Sequence, residues 1–296
     1  MSEAAAARER RIGYLCAFLV LFVWAGFLLS SRLAGTQPFT AWDIAALRFA
    51  GGSLAALPLV LLLRPARVKG AHLAAMLATA AFGFPILAYH GFGFAPVAHA
   101  GVMNAGMLPF LTAGLAAIFL GERFSRRRAL SLAVVACGIG LIASDTFGNH
   151  PGAWRGDLLF LAGATCWAVY TLLVRHWRIS AEAATLSVAL WAGPIYLPIW
   201  WFLLPSNLAA VPLGAALYQL VFQGVFAAIV AGFLFTRAVT ALGAPRTTAI
   251  TALVPGMAAL AAWPLLGEPL GLLGLLGIGV ATLGMILAVG IPLRRA

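Results

Sequence analysis

The chain is a succession of apolar runs, each about as long as a bilayer is thick. Breaking it at charges, Pro/Gly clusters and polar pairs gives ten, over about 12–32, 42–63, 72–93, 98–121, 127–145, 157–176, 183–204, 213–236, 245–266 and 271–292. A helix rises about 1.5 Å per residue, so roughly 20 apolar residues cross about 30 Å of hydrocarbon. The expectation is an all-α integral membrane protein with ten transmembrane helices. Composition agrees, at 63% hydrophobic and 9% charged. Soluble domains are about 45–50% apolar and about 25% charged. No soluble domain fits between the runs. Ile12–Leu29 has the length of a full span, and no small-x-small cleavage pattern follows Leu29, so it reads as the first helix and not as a leader.

Charge sets the orientation. The formal net charge is +11, but the basic residues form short clusters between apolar runs, not one polar face, so no nucleic-acid partner is expected. With the N-terminus in the cytoplasm, all but three of the 19 Lys and Arg fall at or near inner helix ends. The exceptions are Arg32, Arg155 and Arg48, the last inside the second run. One helix more or fewer in the first half breaks this segregation. Both termini are therefore expected in the cytoplasm, and the membrane is the cell's inner (plasma) membrane.

A repeat divides the chain. Met107-Leu108-Pro109 leads to Leu120-Gly121-Glu122, and Leu253-Val254-Pro255 leads to Leu266-Gly267-Glu268, at a shift of 146. Gly138 matches Gly284 at the same shift, and Trp24-Ala25…Arg32 matches Trp167-Ala168…Arg175 at a shift of 143. The longest linker, about Asp145 to Arg155, separates halves at 12–145 and 157–292. Five helices per half is an odd number, so the second half is inverted. Inverted halves can exchange an inward-open and an outward-open state around one central site.

These features resemble the drug/metabolite transporter superfamily, specifically its EamA-type members with ten helices in two repeats. The Trp-Ala pairs, Leu47-Arg48-Phe49 and the two proline-bearing runs ending Leu-Gly-Glu carry the resemblance, which covers about Gly13 to Ile291. It implies export of amino acids, other metabolites or toxic organic compounds. The seventh run departs from the second, having no counterpart of Arg48.

Polar groups at membrane depth face a cavity or a partner. Arg48 reads as a site for a substrate carboxylate, or as an arginine paired with Asp43. Tyr89-His90 offers a substrate contact or a proton carrier, against a hydrogen-bonded structural histidine. His99 is expected at the membrane interface. Asn104, and Gln219 with Gln223 four residues on and Phe226 continuing their face, line a wet cavity or bond across helices. Thr251 is a further candidate, although threonine often bonds its own helix. Trp24, Trp167, Tyr170 and Trp191 lie too deep for an interfacial belt and are expected to line an aromatic cavity or to pack between helices. Trp42, Trp154, Trp200 and Trp201 fit the belt. Pro109 and Pro255 are hinge candidates, since a proline inside a helix removes a hydrogen bond. Glu122 and Glu268 read as helix-end anchors. The small residues Gly271, Gly274, Gly277 and Gly284, echoed by Gly138, read as a packing surface or a dimer interface.

The function expected is a secondary transporter of small organic solutes, most naturally an exporter of amino acids or related metabolites by alternating access. A multidrug or organic-cation exporter and a passive channel are the alternatives. An intramembrane enzyme would need a Ser/His pair, paired aspartates or a metal cluster, and none is present in the sequence. The three cysteines, Cys16, Cys137 and Cys166, show no metal-ligand spacing. No Gly-rich phosphate loop occurs, and no cofactor is expected. The partners are a small-molecule substrate and the lipid bilayer. The oligomeric state is open, a monomer included.

Overall fold

A computed structural model describes residues 3–121 and 126–289. Glu122 therefore lies outside the described residues. The helices are α1 (Glu3–Gly35), α2 (Ala41–Leu63), α3 (Gly70–Gly91), α4 (97–120), α5 (Arg126–Asn149), α6 (Trp154–His176), α7 (Ala181–Leu203), α8 (Leu213–Leu242), α9 (244–266) and α10 (Leu272–Val289). No strand occurs among the described residues. Seven helices, α1 to α4 and α6 to α8, are long and apolar enough to cross a membrane. Three shorter apolar helices, Ala129–Asp145, Val254–Leu266 and Leu272–Leu287, occupy the other expected positions.

Local chemistry sets the helix ends. Thr40 and Asp43 open α2 as a reciprocal capping box, with Asp43 N donating to Thr40 Oγ1 at 3.1 Å and Thr40 N donating to Asp43 Oδ2 at 3.0 Å. Ser180 caps α7 through Ala183 N. The two Leu-Gly-Glu closures have one cause. Gly121 and Gly267 sit at φ +68° and +67°, the left-handed conformation that ends a helix and that only glycine adopts without strain.

The repeated prolines stand at the starts of helical pieces and not inside a continuous helix. α4 is a short turn Val97–Ala100, a π-helical stretch Gly101–Gly106 and an α-helix Leu108–Leu120, interrupted at Met107. α9 is Ala244–Thr251 followed by Val254–Leu266, interrupted at Ala252 and Leu253. Pro109 and Pro255 lie in the first turn of the second pieces. The first N–H groups of a helix have no intrahelical partner, so a proline there removes nothing. The discontinuities themselves, just before the prolines, are the weak points of these helices.

Two further features follow the repeat. α3 is π-helical over Leu77–Gly83 and α8 over Leu220–Val230, and a shift of 143 carries Leu77 onto Leu220. The linker between the halves is shorter than expected, only residues 150–153, because α5 continues to Asn149. Asp145 lies within α5, its carboxylate against Gly271 and Gly274 at the start of α10. A carboxylate is favoured there by the unpaired N–H groups and the positive end of the helix dipole.

Helices from the two halves pack with one another. α1 packs on α8, and α2 on α7 and α8. α3 and α4 pack on α6, α5 pairs with α10, and α9 lies between α1 and α4. The molecule thus has one body of α1, α2, α7 and α8, and a second built on α3, α4 and α6. The small residues of α10 meet α5 in this chain: a Cβ on Gly277 would lie 2.8 Å from Gly138 O, and one on Gly284 would lie 2.8 Å from Val135 N. That places the expected packing surface inside the molecule. In the first body the closest approach is backbone to backbone, where a Cβ on Gly51 would collide with Leu220 O. Gly51→Ala should therefore lower stability by about 1–3 kcal/mol. Gly52→Ala, with 3.5 Å to the nearest atom, should be tolerated. Thermal unfolding in detergent separates the two.

Candidate functional site

A cavity of about 80 Å³ lies between the two bodies. The first body contributes Arg48, Phe49 and Gly52 of α2, Thr185, Val188, Ala189 and Ala192 of α7, and Ala227 and Ala228 of α8. The second contributes Ala80 and Ala81 of α3 and Trp167 and Tyr170 of α6. Small alanines form the walls and leave the space; the aromatic pair and Arg48 give it chemical character. Short connections make successive helices antiparallel, so α1 runs from a near end of the bundle to a far end. Arg48, seven residues into α2, lies about 10 Å from the far end, and Thr185, four residues into α7, about 6 Å from the near end. The cavity therefore occupies the middle and the near half.

Arg48 is 9% exposed. Its Nη1 donates to Gln223 O at 3.2 Å, and its guanidinium lies 5.6 Å from the Phe27 ring centroid. A guanidinium has five N–H donors, so this buried cation holds hydrogen-bonding capacity beyond Gln223 O and the adjoining Tyr89 hydroxyl. The expected pairing with Asp43 does not occur. Asp43 instead accepts from Trp200 Nε1 at 3.0 Å, Ser206 Oγ at 2.6 Å and Asn207 N at 3.0 Å, besides Thr40 N. It ties α2 to the end of α7 and to the loop before α8. Trp200 is consequently buried, not a belt residue, while Trp154 and Trp201 are exposed.

Beside Arg48 a buried polar layer joins α8 to the last turns of α1 and α3. Gln223 is fully buried; its Oε1 accepts from Tyr89 OH at 3.2 Å and its Nε2 donates to Ser31 Oγ at 3.1 Å. Gln219 Oε1 accepts from Ser30 Oγ at 3.0 Å, and Gln219 Nε2 donates to Ser30 O at 3.1 Å. Both amides are thus committed across helices and do not line the cavity. Phe226 does not continue their face; the wider π-helical turn brings it to the outside.

The remaining sequence candidates scatter. Tyr89 is buried beside Arg48, in the same polar layer. His90 bonds Ile86 O through Nδ1 at 2.8 Å and stands edge-on to Trp42 at 4.4 Å. Trp24 stacks on Phe235. Asn104 is buried in the π-helical part of α4, and Thr251 ends the first piece of α9. Trp191 is 48% exposed on α7. Of the proposed contacts, Arg48, Trp167 and Tyr170 meet at the cavity, with Trp167 and Tyr170 at a ring separation of 5.1 Å. The alanine walls carried no polar or aromatic signal in the sequence, and nothing in the pattern set Thr185 apart from the other threonines within the apolar runs.

His99 and Glu268 both find partners within the protein. His99 is buried and its Nδ1 lies 2.9 Å from Asp157 Oδ1 of α6. Glu268 stands just past the end of α9 and ties it to two other helices. Its Oε1 pairs with Arg32 Nε at 2.5 Å and its Oε2 accepts from Val97 N at 2.9 Å.

The comparisons agree with this architecture. The profile of the EamA-like transporter family matches twice, over residues 11–144 and 154–290. The chain belongs to that family and is a multi-pass membrane protein. The Bacillus subtilis transporter YyaM is 25% identical over 217 residues, covering 71% of this chain and 70% of that protein. A probable terminal-alkyne amino-acid exporter of Streptantibioticus cattleyicolor is 28% identical over 233 residues, covering 74% and 76%. A crystal structure superposes with a TM-score of 0.66 at 19% identity, over 97% of both chains, which establishes the shared fold.

Asp43 is the residue whose loss should cost most in this region. Asp43→Ala leaves Trp200 Nε1 and Asn207 N without their acceptor, and unmet buried donors cost about 1–3 kcal/mol each. The expected outcome is a clear drop in melting temperature, larger than that of Asp43→Asn, which keeps one acceptor oxygen.

Proposed function

We propose that the protein is a secondary carrier that exports amino acids or related metabolites across the inner membrane by alternating access around the Arg48 cavity. In this reading the chain crosses the membrane ten times, both termini are cytoplasmic, and the near end of the bundle faces the cytoplasm. The conformation described is then inward-facing: the cavity occupies the cytoplasmic half, and the polar layer of Tyr89, Gln219 and Gln223 lies on the other side.

The observation that carries the reading is the buried guanidinium of Arg48 at a cavity between two bodies. A planar fork of donors recognises a carboxylate in two-point fashion. The adjoining Trp167–Tyr170 pair and the apolar walls suit an uncharged side chain or a weakly bound ammonium. Among the described residues lining the cavity there is no carboxylate, which favours carboxylate-bearing solutes over organic cations. The amino-acid exporter of Streptantibioticus cattleyicolor supports the same class. The cavity is smaller than the roughly 300 Å³ of ordinary ligand sites, so substrate entry requires the bodies to move apart.

The test is counterflow of radiolabelled amino acids in liposomes containing the purified protein. Saturable flux, accelerated by substrate on the opposite side, is expected. Arg48→Gln should reduce it by about 10- to 100-fold, the equivalent of losing a charge-assisted bond. Trp191→Ala should leave it within about twofold, since that ring lies on the outside of α7. Non-saturating flux unaffected by Arg48→Gln would exclude the carrier.

A further inference from the structure

We propose that Arg32 is the clasp of the far-end gate, the contact that must part before the cavity can open on that side. The argument rests on which body each partner belongs to. Arg32 lies in the last turn of α1, in the first body. Its Nη1 donates to Phe92 O of the second body at 2.5 Å, and its Nε donates at 2.5 Å to Glu268 Oε1, just past α9, the helix that lies between α1 and α4. Phe92 ends α3, and its ring packs edge-on against Phe160 of α6, within the second body. Glu268 follows α9 and is tied to the start of α4 through Val97 N. One guanidinium therefore joins α1 to the ends of α3, α4 and α9 at once.

Of the other polar ties at this end, the neutral hydrogen bond from Tyr89 OH of α3 to Gln223 Oε1 of α8 also crosses between the bodies, and the rest stay within one body. Asp43 links α2 with α7 and the loop before α8, all of the first body. The serines of α1 bond the amides of α8, again within the first body. His99 and Asp157 join α4 to α6 inside the second. Each body is thus braced internally, and Arg32 is the charged bridge between them. At the near end Arg237 of α8 pairs with Glu9 of α1 within the first body, with side chains 38% and 46% exposed against 22% and 15% for Arg32 and Glu268. Exposed pairs of that kind contribute little. A shielded charged pair holds more firmly, and among the described residues that pair stands at the far end.

The clasp also gives the second Leu-Gly-Glu motif a mechanical role. Gly267, in its left-handed conformation, turns the chain at the end of α9 and so delivers Glu268 to Arg32.

This inference rests on the carrier reading, but its test needs no substrate, so the two can fail separately. Spin labels are placed at Ala209→Cys, in the loop held by Asp43 to the first body, and at Phe94→Cys, between α3 and α4. Both sites are exposed, and the native cysteines are replaced. Distances are measured in lipid nanodiscs for the parent, for Arg32→Gln and for Glu268→Gln. The second variant is isosteric and keeps an acceptor for Val97 N, which protects the fold. The parent should give one short distance. Both variants should add a longer-distance population, raised about tenfold or more over the parent. Unchanged distances in variants that keep the parent's helicity and melting temperature would overturn the proposal. So would a longer distance in Arg32→Gln alone, because the clasp needs both charges.

Discussion

Hydrocarbon cannot hydrogen-bond, and each backbone or side-chain polar group inside it must find a partner within the protein. Everything distinctive in this chain follows from that demand. Apolar runs become helices because only helices satisfy their own backbone. Where a helix departs from regularity, as in the π-helical parts of α3, α4 and α8 or the breaks in α4 and α9, the irregular stretch lies against other helices. The few buried polar side chains then sort into two kinds. Asp43, Gln219 and Gln223 are saturated by neighbours and act as braces. Arg48 keeps spare donors beside a cavity and is available to something that enters.

That distinction between saturated and unsaturated groups explains what was legible in advance. The helical architecture and the two-part chain could be read because run length and the Pro…Leu-Gly-Glu repeat are properties of the chain alone. The aromatic pair Trp167 and Tyr170 could be read because both lie in mid-run and three residues apart. The fate of the amides could not. Gln223 was equally compatible with a wet cavity and with a bond across helices, and only the approach of Ser31 and Tyr89 decides it. Arg48 and Asp43 are five residues apart and of opposite charge, yet Asp43 is drawn away by Trp200, Ser206 and Asn207, which lie more than 150 residues along the chain. The cavity walls left no trace in the sequence, since an alanine that creates space looks like an alanine that fills it.

The repeat also shows how duplicated sequences diverge in role. Gly121 and Gly267 keep the same left-handed turn, and the π-helical stretches of α3 and α8 begin at matching positions. The surroundings differ. The α2–α8 seam brings glycine backbones together, whereas α3 and α7, the equivalent pair, contribute Ala80, Ala81, Val188 and Ala192 to the cavity wall. The two halves share a scaffold and differ in the side chains that line it.

The interleaved packing has a consequence for how the protein is made. Synthesis delivers the helices in order, so α1 and α2 enter the membrane well before α7, α8 and α9. During that interval Asp43 has its capping partner Thr40 but not Trp200, Ser206 or Asn207, and Arg32 has no Glu268. A carboxylate and a guanidinium must wait in or beside the bilayer for partners still on the ribosome. The first half therefore leaves these two charges without their later partners until the second half has been made.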